Sequence, residues 1–176
     1  MPSVIATADA LAYMHSVGVL HLDIKADNVL VIDPEAGDIR CIDFESATDE
    51  IGVKSPVLGC TRPYVSPEYY LGYSPTKSVD VYAFGISMYG SLGNTGLPKR
   101  QDTRISTSFR QLDYKRVIAH LGDQTYAESL GFVTPRMVRE KFGSNRALRK
   151  TITSCIDVNH SNRTKMNEVS LDLATI

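Results

Sequence analysis

The sequence predicts a mostly helical α+β domain, and three observations carry that prediction. The segment 77–92 is apolar nearly all round (Val79, Val81, Tyr82, Phe84, Ile86, Met88, Tyr89), which belongs to a helix in the middle of a core. Two short β-branched runs, 28–32 and 39–42, flank Asp33-Pro34-Glu35-Ala36-Gly37-Asp38, which has the chemistry of a hairpin turn. Much of the remainder has apolar residues at helical spacing, without internal repeats or low-complexity tracts.

In chain order, Ser3 is expected to cap a helix over 4–16. Its apolar positions are Val4, Ile5, Ala8, Leu11, Ala12 and Met14, and Gly18 fits its C-terminal stop. The hairpin follows. From 44 to 68 there is no sustained period, and a loop of that length in a compact domain is usually functional. The central helix over 77–92 comes next, then a polar, irregular stretch over 93–109. Further helices are expected over 112–121, 135–142, 147–156 and 165–174. A chain of 176 residues is the size of one ordinary domain, so 1–176 reads as a single unit.

Composition excludes several classes. With 43% hydrophobic and 22% charged residues, global disorder is excluded. A formal charge of −1 argues against counterion-driven binding to nucleic acid or to an anionic membrane surface. The longest apolar stretch, 79–92, is broken by Asp80, Gly85 and Gly90, short of the roughly 18 residues a spanning helix needs. Cys41, Cys60 and Cys155 match neither a zinc spacing nor a disulfide framework, and the N-terminus lacks a basic, then apolar, leader. An intracellular location, cytoplasmic or nuclear, is the expectation.

The chemistry-bearing residues are concentrated. His21, Asp23, Lys25 and Asn28 fall on a loop between the first helix and the first strand, and Asp43 closes the second strand, twenty residues after Asp23. A strand-end Asp beside a loop Asp/Asn pair suits a hard divalent cation held against phosphate oxygens. Singly these residues mean little. Asp23 and Lys25 alone would be a solvated pair, a lone Asp-Phe-Glu recurs by chance, and a lone His21 is more often a satisfied core histidine. Asp80 is harder to dismiss, because a carboxylate in an apolar helix needs partners.

Taken together the motifs resemble the eukaryotic protein-kinase family, Ser/Thr type. His21-Leu22-Asp23-Ile24-Lys25-x-x-Asn28 resembles H-R-D-L-K-x-x-N, and Asp43-Phe44-Glu45 resembles D-F-G. Cys60-Thr61-Arg62-Pro63-Tyr64-Val65-Ser66-Pro67-Glu68 resembles the segment ending in A-P-E, and Asp80-Val81-Tyr82-Ala83-Phe84-Gly85 resembles D-V-W-S-F-G. Arg163 sits where the family has the Arg that pairs with the A-P-E Glu. Lys25, two residues after Asp23, and Thr61, seven before Glu68, follow the Ser/Thr pattern rather than the tyrosine one.

The resemblance implies roles. Asp23 would accept or orient the substrate hydroxyl, and Lys25 would steady the transferred phosphate. Asn28 and Asp43 would hold Mg2+, with ATP as phosphoryl donor and a protein as acceptor. Thr61, Arg62 and Tyr64 would belong to the activation segment facing the substrate. His21 and Phe44 would pack in a spine, Asp80 would brace the loop backbone, and Glu68–Arg163 would form a buried ion pair.

The departures matter equally. The family places a Gly-rich loop, a strand Lys and a helix Glu ahead of the catalytic loop. Here the first Lys is Lys25 and the first Glu is Glu35. The resemblance therefore implies a C-terminal lobe alone, with catalytic loop 21–28, activation segment 43–68, and no N-terminal lobe. Such a chain is expected to be inactive in isolation, because nothing encloses ATP. Leu22 replaces the family's Arg, so phosphate on Thr48 or Ser55 would lack its usual partner. Glu45 replaces the Gly of D-F-G.

Two alternatives stay open. One is a non-catalytic pseudokinase or scaffold, with the inter-lobe face around Asn28 and Phe44 docking a protein partner or an N-lobe. The other is a small-molecule phosphotransferase of the choline or aminoglycoside type, which shares H-x-D-x-x-x-x-N and I-D-F-E. The segment 61–68 with its matching Arg163 speaks against that class.

Overall fold

Pro2 opens the first helix. A proline at the first helical position lacks only an N–H that would have no partner anyway, and its φ is already helical. In the computed structural model, which describes residues 1–49, 61–94, 96–101 and 112–176, α1 runs over Pro2–Ser16, with Met1 as its N-cap. Ser3 is therefore inside the helix and does not cap it; its carbonyl accepts the Thr7 hydroxyl at 2.7 Å. Gly18 ends the turn at φ 78°, a conformation that glycine adopts without steric cost.

Two small antiparallel ladders follow. β2 (Val29–Asp33) pairs with β3 (Asp38–Cys41), with Val29 opposite Cys41 and a bulge between Val31 and Asp33. Each strand lies one residue away from the run predicted for it at the turn end. There the Asp33 carboxylate caps the turn by accepting from the Glu35 and Ala36 N–H groups, at 2.9 and 3.0 Å. β1 (Val19–Leu20) pairs with β4 (Thr48–Asp49), so 44–68 is not without regular structure. Two-residue strands have no periodicity, and sequence patterning passes over them. Ser55 and Cys60 lie outside the described residues, as does much of 93–109.

α2 (Pro67–Tyr70) leads to the central helix α3 (Lys77–Leu92), where every residue from Val79 to Tyr89 is buried except Ser87. The helices beyond it are α4 (Tyr114–Gly122), α5 (Gln124–Ser129), α6 (Pro135–Phe142), α7 (Arg146–Cys155) and α8 (Met166–Ala174). α2 and α5 were not expected; each is too short to show a period.

α3 is the axis of the core. Its apolar side chains share one buried cluster with Ala8 and Leu11 of α1, Ile152 and Cys155 of α7, and Val169 and Leu173 of α8. α7 comes so close that a Cβ at Gly85 would lie 2.6 Å from the Cys155 Cβ, so glycine is required there. Burial pushes the Cys155 thiol up to about 12, a packing residue and no nucleophile. A second cluster (Val117, Leu121, Ala127, Leu130, Phe132) forms under α4 and α5. A third cluster positions the site: Leu20 and Leu22 from the loop after α1 pack on Val65, Tyr69 and Val79. Among the described residues no helix is long and apolar enough to cross a membrane.

Candidate active site

The loop after α1 is built on one buried carboxylate. Asp80, on the first turn of α3 and fully buried, accepts the backbone N–H of His21 at 2.9 Å and of Leu22 at 2.8 Å. Its second oxygen also meets His15 Nε2 at 3.0 Å. Hydrogen bonds to an ionised acceptor are among the stronger ones, and these two fix the backbone where Leu22 adopts φ 65°. A left-handed leucine is costly on its own; the apolar cluster around its side chain and the Asp80 bonds hold it there. The His21 ring lies 4.8 Å from the Phe44 ring, with Nε2 3.1 Å from the Ile42 carbonyl. A carbonyl only accepts, so Nε2 carries the proton.

Asp23 then stands at the centre of four bonds. Lys25 Nζ donates to its Oδ2 at 2.7 Å, and Asn28 Nδ2 donates to the same oxygen at 3.0 Å. The Thr61 N–H donates to Oδ1 at 3.1 Å, and Asn28 Nδ2 also reaches the Asp23 carbonyl at 2.8 Å. Lys25 donates in addition to Thr61 Oγ1 at 2.7 Å, tying the loop after α1 to the segment that leads into α2. Burial would raise the Asp23 carboxyl, but the Lys25 ammonium and the Thr61 donors outweigh it and hold the group below its ordinary range. The hydrogen bond to Asp23 pushes Lys25 up against the opposing effect of burial, and the Asp43 and Asp27 charges add to the rise.

Asp43 is placed by the hairpin. The Ile42 N–H donates to the Asn28 carbonyl at 3.0 Å, extending the β2–β3 ladder and setting Asp43 just beyond Asn28. Asp43 has φ 63°, and a short helix over Phe44–Ser46 follows at once. Its carboxylate is exposed and makes no hydrogen bond among the described residues; Glu45 is exposed too. Asn28, expected on an open face, is buried at 5%, its amide nitrogen turned inward to Asp23. That leaves Asn28 Oδ1 and the Asp43 carboxylate as hard oxygen donors at the same end of the hairpin. They fit Mg2+, which takes one or two protein oxygens and completes its octahedron with water and substrate phosphate. No cluster of three or more His, Cys, Asp or Glu able to hold a metal occurs among the described residues.

The residues expected in the activation segment differ in their surroundings. Arg62 is exposed, whereas Tyr64 is half-buried and its hydroxyl is pushed up by that burial. Glu68 and Arg163 lie away from the Asp23 cluster and form a two-pronged ion pair, Nη1–Oε1 at 2.5 Å and Nη2–Oε2 at 2.9 Å. Arg163 also donates to the Ser78 carbonyl at 2.9 Å, so it anchors the segment to α3.

Three contributors escape the sequence reading. His15, in the last turn of α1, meets Asp80; its position inside a helical pattern gave no separate signal. The Ile42 carbonyl is a backbone atom and has no sequence signature. Arg100 donates to the Pro63 and Val65 carbonyls at 3.1 and 3.0 Å while its guanidinium lies 3.8 Å over the Phe132 ring, yet it falls in a polar stretch with no pattern.

Comparison with known proteins agrees with this geometry. Residues 3–172 match the protein kinase domain family. The chain is 26% identical over 176 residues to leaf rust 10 disease-resistance locus receptor-like protein kinase-like 1.1 of Arabidopsis thaliana, covering 98% of this chain and 27% of that protein. It is 33% identical over 158 residues to glycogen synthase kinase 1 of Pyricularia oryzae, covering 85% of this chain and 38% of that protein. Over 99 residues it is 33% identical to the serine/threonine-protein kinase zyg-8 of Caenorhabditis elegans, covering 53% of this chain and 12% of that one. The chain thus spans well under half the length of these relatives. With the Asp23 cluster, the Asp43 strand end and the Glu68–Arg163 pair in the family's order, the chain belongs to the eukaryotic protein kinase family.

Proposed function

We propose that this chain is the C-terminal lobe of a protein Ser/Thr kinase, supplying the acceptor side of phosphoryl transfer and needing a nucleotide-covering lobe to turn over. The observation that carries this is the hydrogen-bonded set Asp23–Lys25–Asn28–Thr61, with Asp43 set beside it by the hairpin. Held below the ordinary carboxyl range, Asp23 is ionised at neutral pH and orients a substrate hydroxyl by accepting its hydrogen bond. Lys25, charged and fixed between Asp23 and Thr61, faces the position where negative charge is transferred. Asn28 and Asp43 would hold Mg2+, and ATP with its metal would supply the phosphoryl group and neutralise its charge. The relatives' names support the Ser/Thr class over a small-molecule phosphotransferase.

A second reading is a non-catalytic docking module. It is favoured by the apolar side chains that the hairpin and the residue after Asp43 leave exposed, Leu30, Val31, Ile32 and Phe44, each about half exposed.

The test is a chimera that fuses the preceding lobe of the Pyricularia relative to this chain. The expected result is phosphate incorporation into a generic Ser/Thr substrate, abolished by Asp23→Asn and by Asp43→Ala, with none from the 176-residue chain alone. A folded chimera that binds ATP and transfers nothing would move the assignment to the docking module. Transfer by the isolated chain that Asp23→Asn removes would refute the need for a covering lobe.

A further inference from the structure

Almost every described arginine outside one place has a partner. Arg40, Arg116, Arg136 and Arg163 pair with carboxylates, Arg100 holds two carbonyls, and Arg62 also has an interaction. The exceptions are Arg139, Arg146 and Arg149, whose side chains make no hydrogen bond or ion pair among the described residues. All three line one groove between α6 and α7, about 510 Å³ in volume, on the side of the molecule built by the C-terminal helices. The Arg149 Nε is buried there without a hydrogen-bond partner. A buried donor left unpaired is costly and is normally satisfied by something.

The groove's charge is lopsided in a chain whose formal charge is −1. Lys150 adds a fourth cation, 3.8 Å from the Asp172 carboxylate in an exposed pair of little strength. Among the described residues the groove has one carboxylate, Asp157, which already accepts the Asn159 N–H at 2.8 Å and the Asn162 amide at 3.4 Å. Guanidinium groups present a planar fork that matches a carboxylate two bonds at a time. The volume far exceeds a single anion and suits several side chains. Among the described residues no aromatic ring lines it, which speaks against the stacking platform that single-stranded nucleic acid uses.

We propose that the α6–α7 groove is a docking site for an acidic peptide segment, a run of Asp or Glu, of a protein partner. It neither contains nor borders the Asp23 cluster, so it would recruit rather than catalyse, and it stands whether or not the chain transfers phosphate.

The probe is a fluorescein-labelled decaglutamate peptide titrated with the 176-residue chain, read by anisotropy. The expected result is saturable binding that weakens as salt rises and falls at least tenfold in Arg146→Glu/Arg149→Glu. Because Arg149 is half-buried, Arg139→Gln/Arg146→Gln, both exposed, is the second variant and is expected to lose several-fold with an unchanged melting temperature. A matched charge reversal on α4, Lys115→Glu/Arg116→Glu, is expected to leave binding within twofold. Absence of saturable binding, or equal losses from the groove and α4 variants, would overturn the proposal. So would oligouridylate binding tighter than decaglutamate at the same salt, since that would make the site one for nucleic acid.

Discussion

Asp23 and Asp43 are carboxylates of the same candidate site, yet they sit in opposite surroundings. Asp23 is 6% exposed, takes hydrogen bonds from Lys25, Asn28 and Thr61, and rests on a loop braced from within by Asp80. Asp43 is exposed without a hydrogen bond among the described residues, the next residue, Phe44, is 48% exposed, and Val31 and Ile32 of the hairpin that carries it are 49% and 59% exposed. The surroundings of Asp23 are therefore organised by contacts that this chain makes with itself. Around Asp43 the backbone is set, through the hairpin and the left-handed Asp43, but the side chains face solvent. A site built this way is half pre-organised: the Asp23 half costs little further ordering, and the Asp43 half has its side chains still to order.

The largest effect should separate these halves by stability. Asp80→Ala leaves two buried backbone N–H groups and His15 without their acceptor, at about 1–3 kcal/mol for each unsatisfied group. A loss of about 4 kcal/mol or more is expected in urea denaturation, a large part of the roughly 5–15 kcal/mol that a domain has. Asp43→Ala releases no hydrogen bond and only the charge attraction of an exposed carboxylate for Lys25, and is expected to stay within about 0.5 kcal/mol of the parent. Similar losses from both substitutions would break the contrast.

An intermediate effect lies in pH. The Asp23 carboxyl is held below its ordinary value, so its contribution to stability is fully present above that value, near 3.8, and is lost as pH falls through the lower native one. Lys25 runs the other way: its contribution is present below about 10.5 and is lost as pH rises through the higher native value. Asp23→Asn removes the acceptor that both rest on. Its stability deficit should be level from about pH 5 to 9 and should narrow below pH 4 and above pH 10.5. A deficit that stays constant from pH 2 to 12 would show that Asp23 acts in folding only by its shape.

How much of this was legible follows the same division. Lys77–Leu92 was readable to the residue, because an apolar pattern that long has one physical solution, and Pro135–Phe142 was equally plain from its proline start. The residues of the acceptor cluster were nameable because collinear motifs marked them. Their mutual bonds were not, since Thr61 lies 38 residues from Asp23 and only the fold closes that distance. The positive φ of Leu22 was invisible: leucine gives no hint of it, and the cause is Asp80, 58 residues away. Arg100 was missed for the same reason, as an arginine in a polar stretch looks solvated until its carbonyl partners come to it.

The smallest expected effect is the one that sharpens the contrast most. Ile32, on β2, is 59% exposed, and its side chain belongs to none of the buried clusters. Ile32→Ser removes apolar surface that already faces water, so the burial term it forfeits is close to nil, and stability should move by less than about 0.5 kcal/mol. Self-association at high concentration should fall, because an exposed apolar edge strand is a site for pairing between chains. A loss above 1 kcal/mol by urea denaturation would mean that Ile32 is packed within this chain, and the hairpin would then be as finished as the Asp23 cluster. The expected null result carries the opposite meaning: Ile32 is apolar for a contact that this chain does not make with itself.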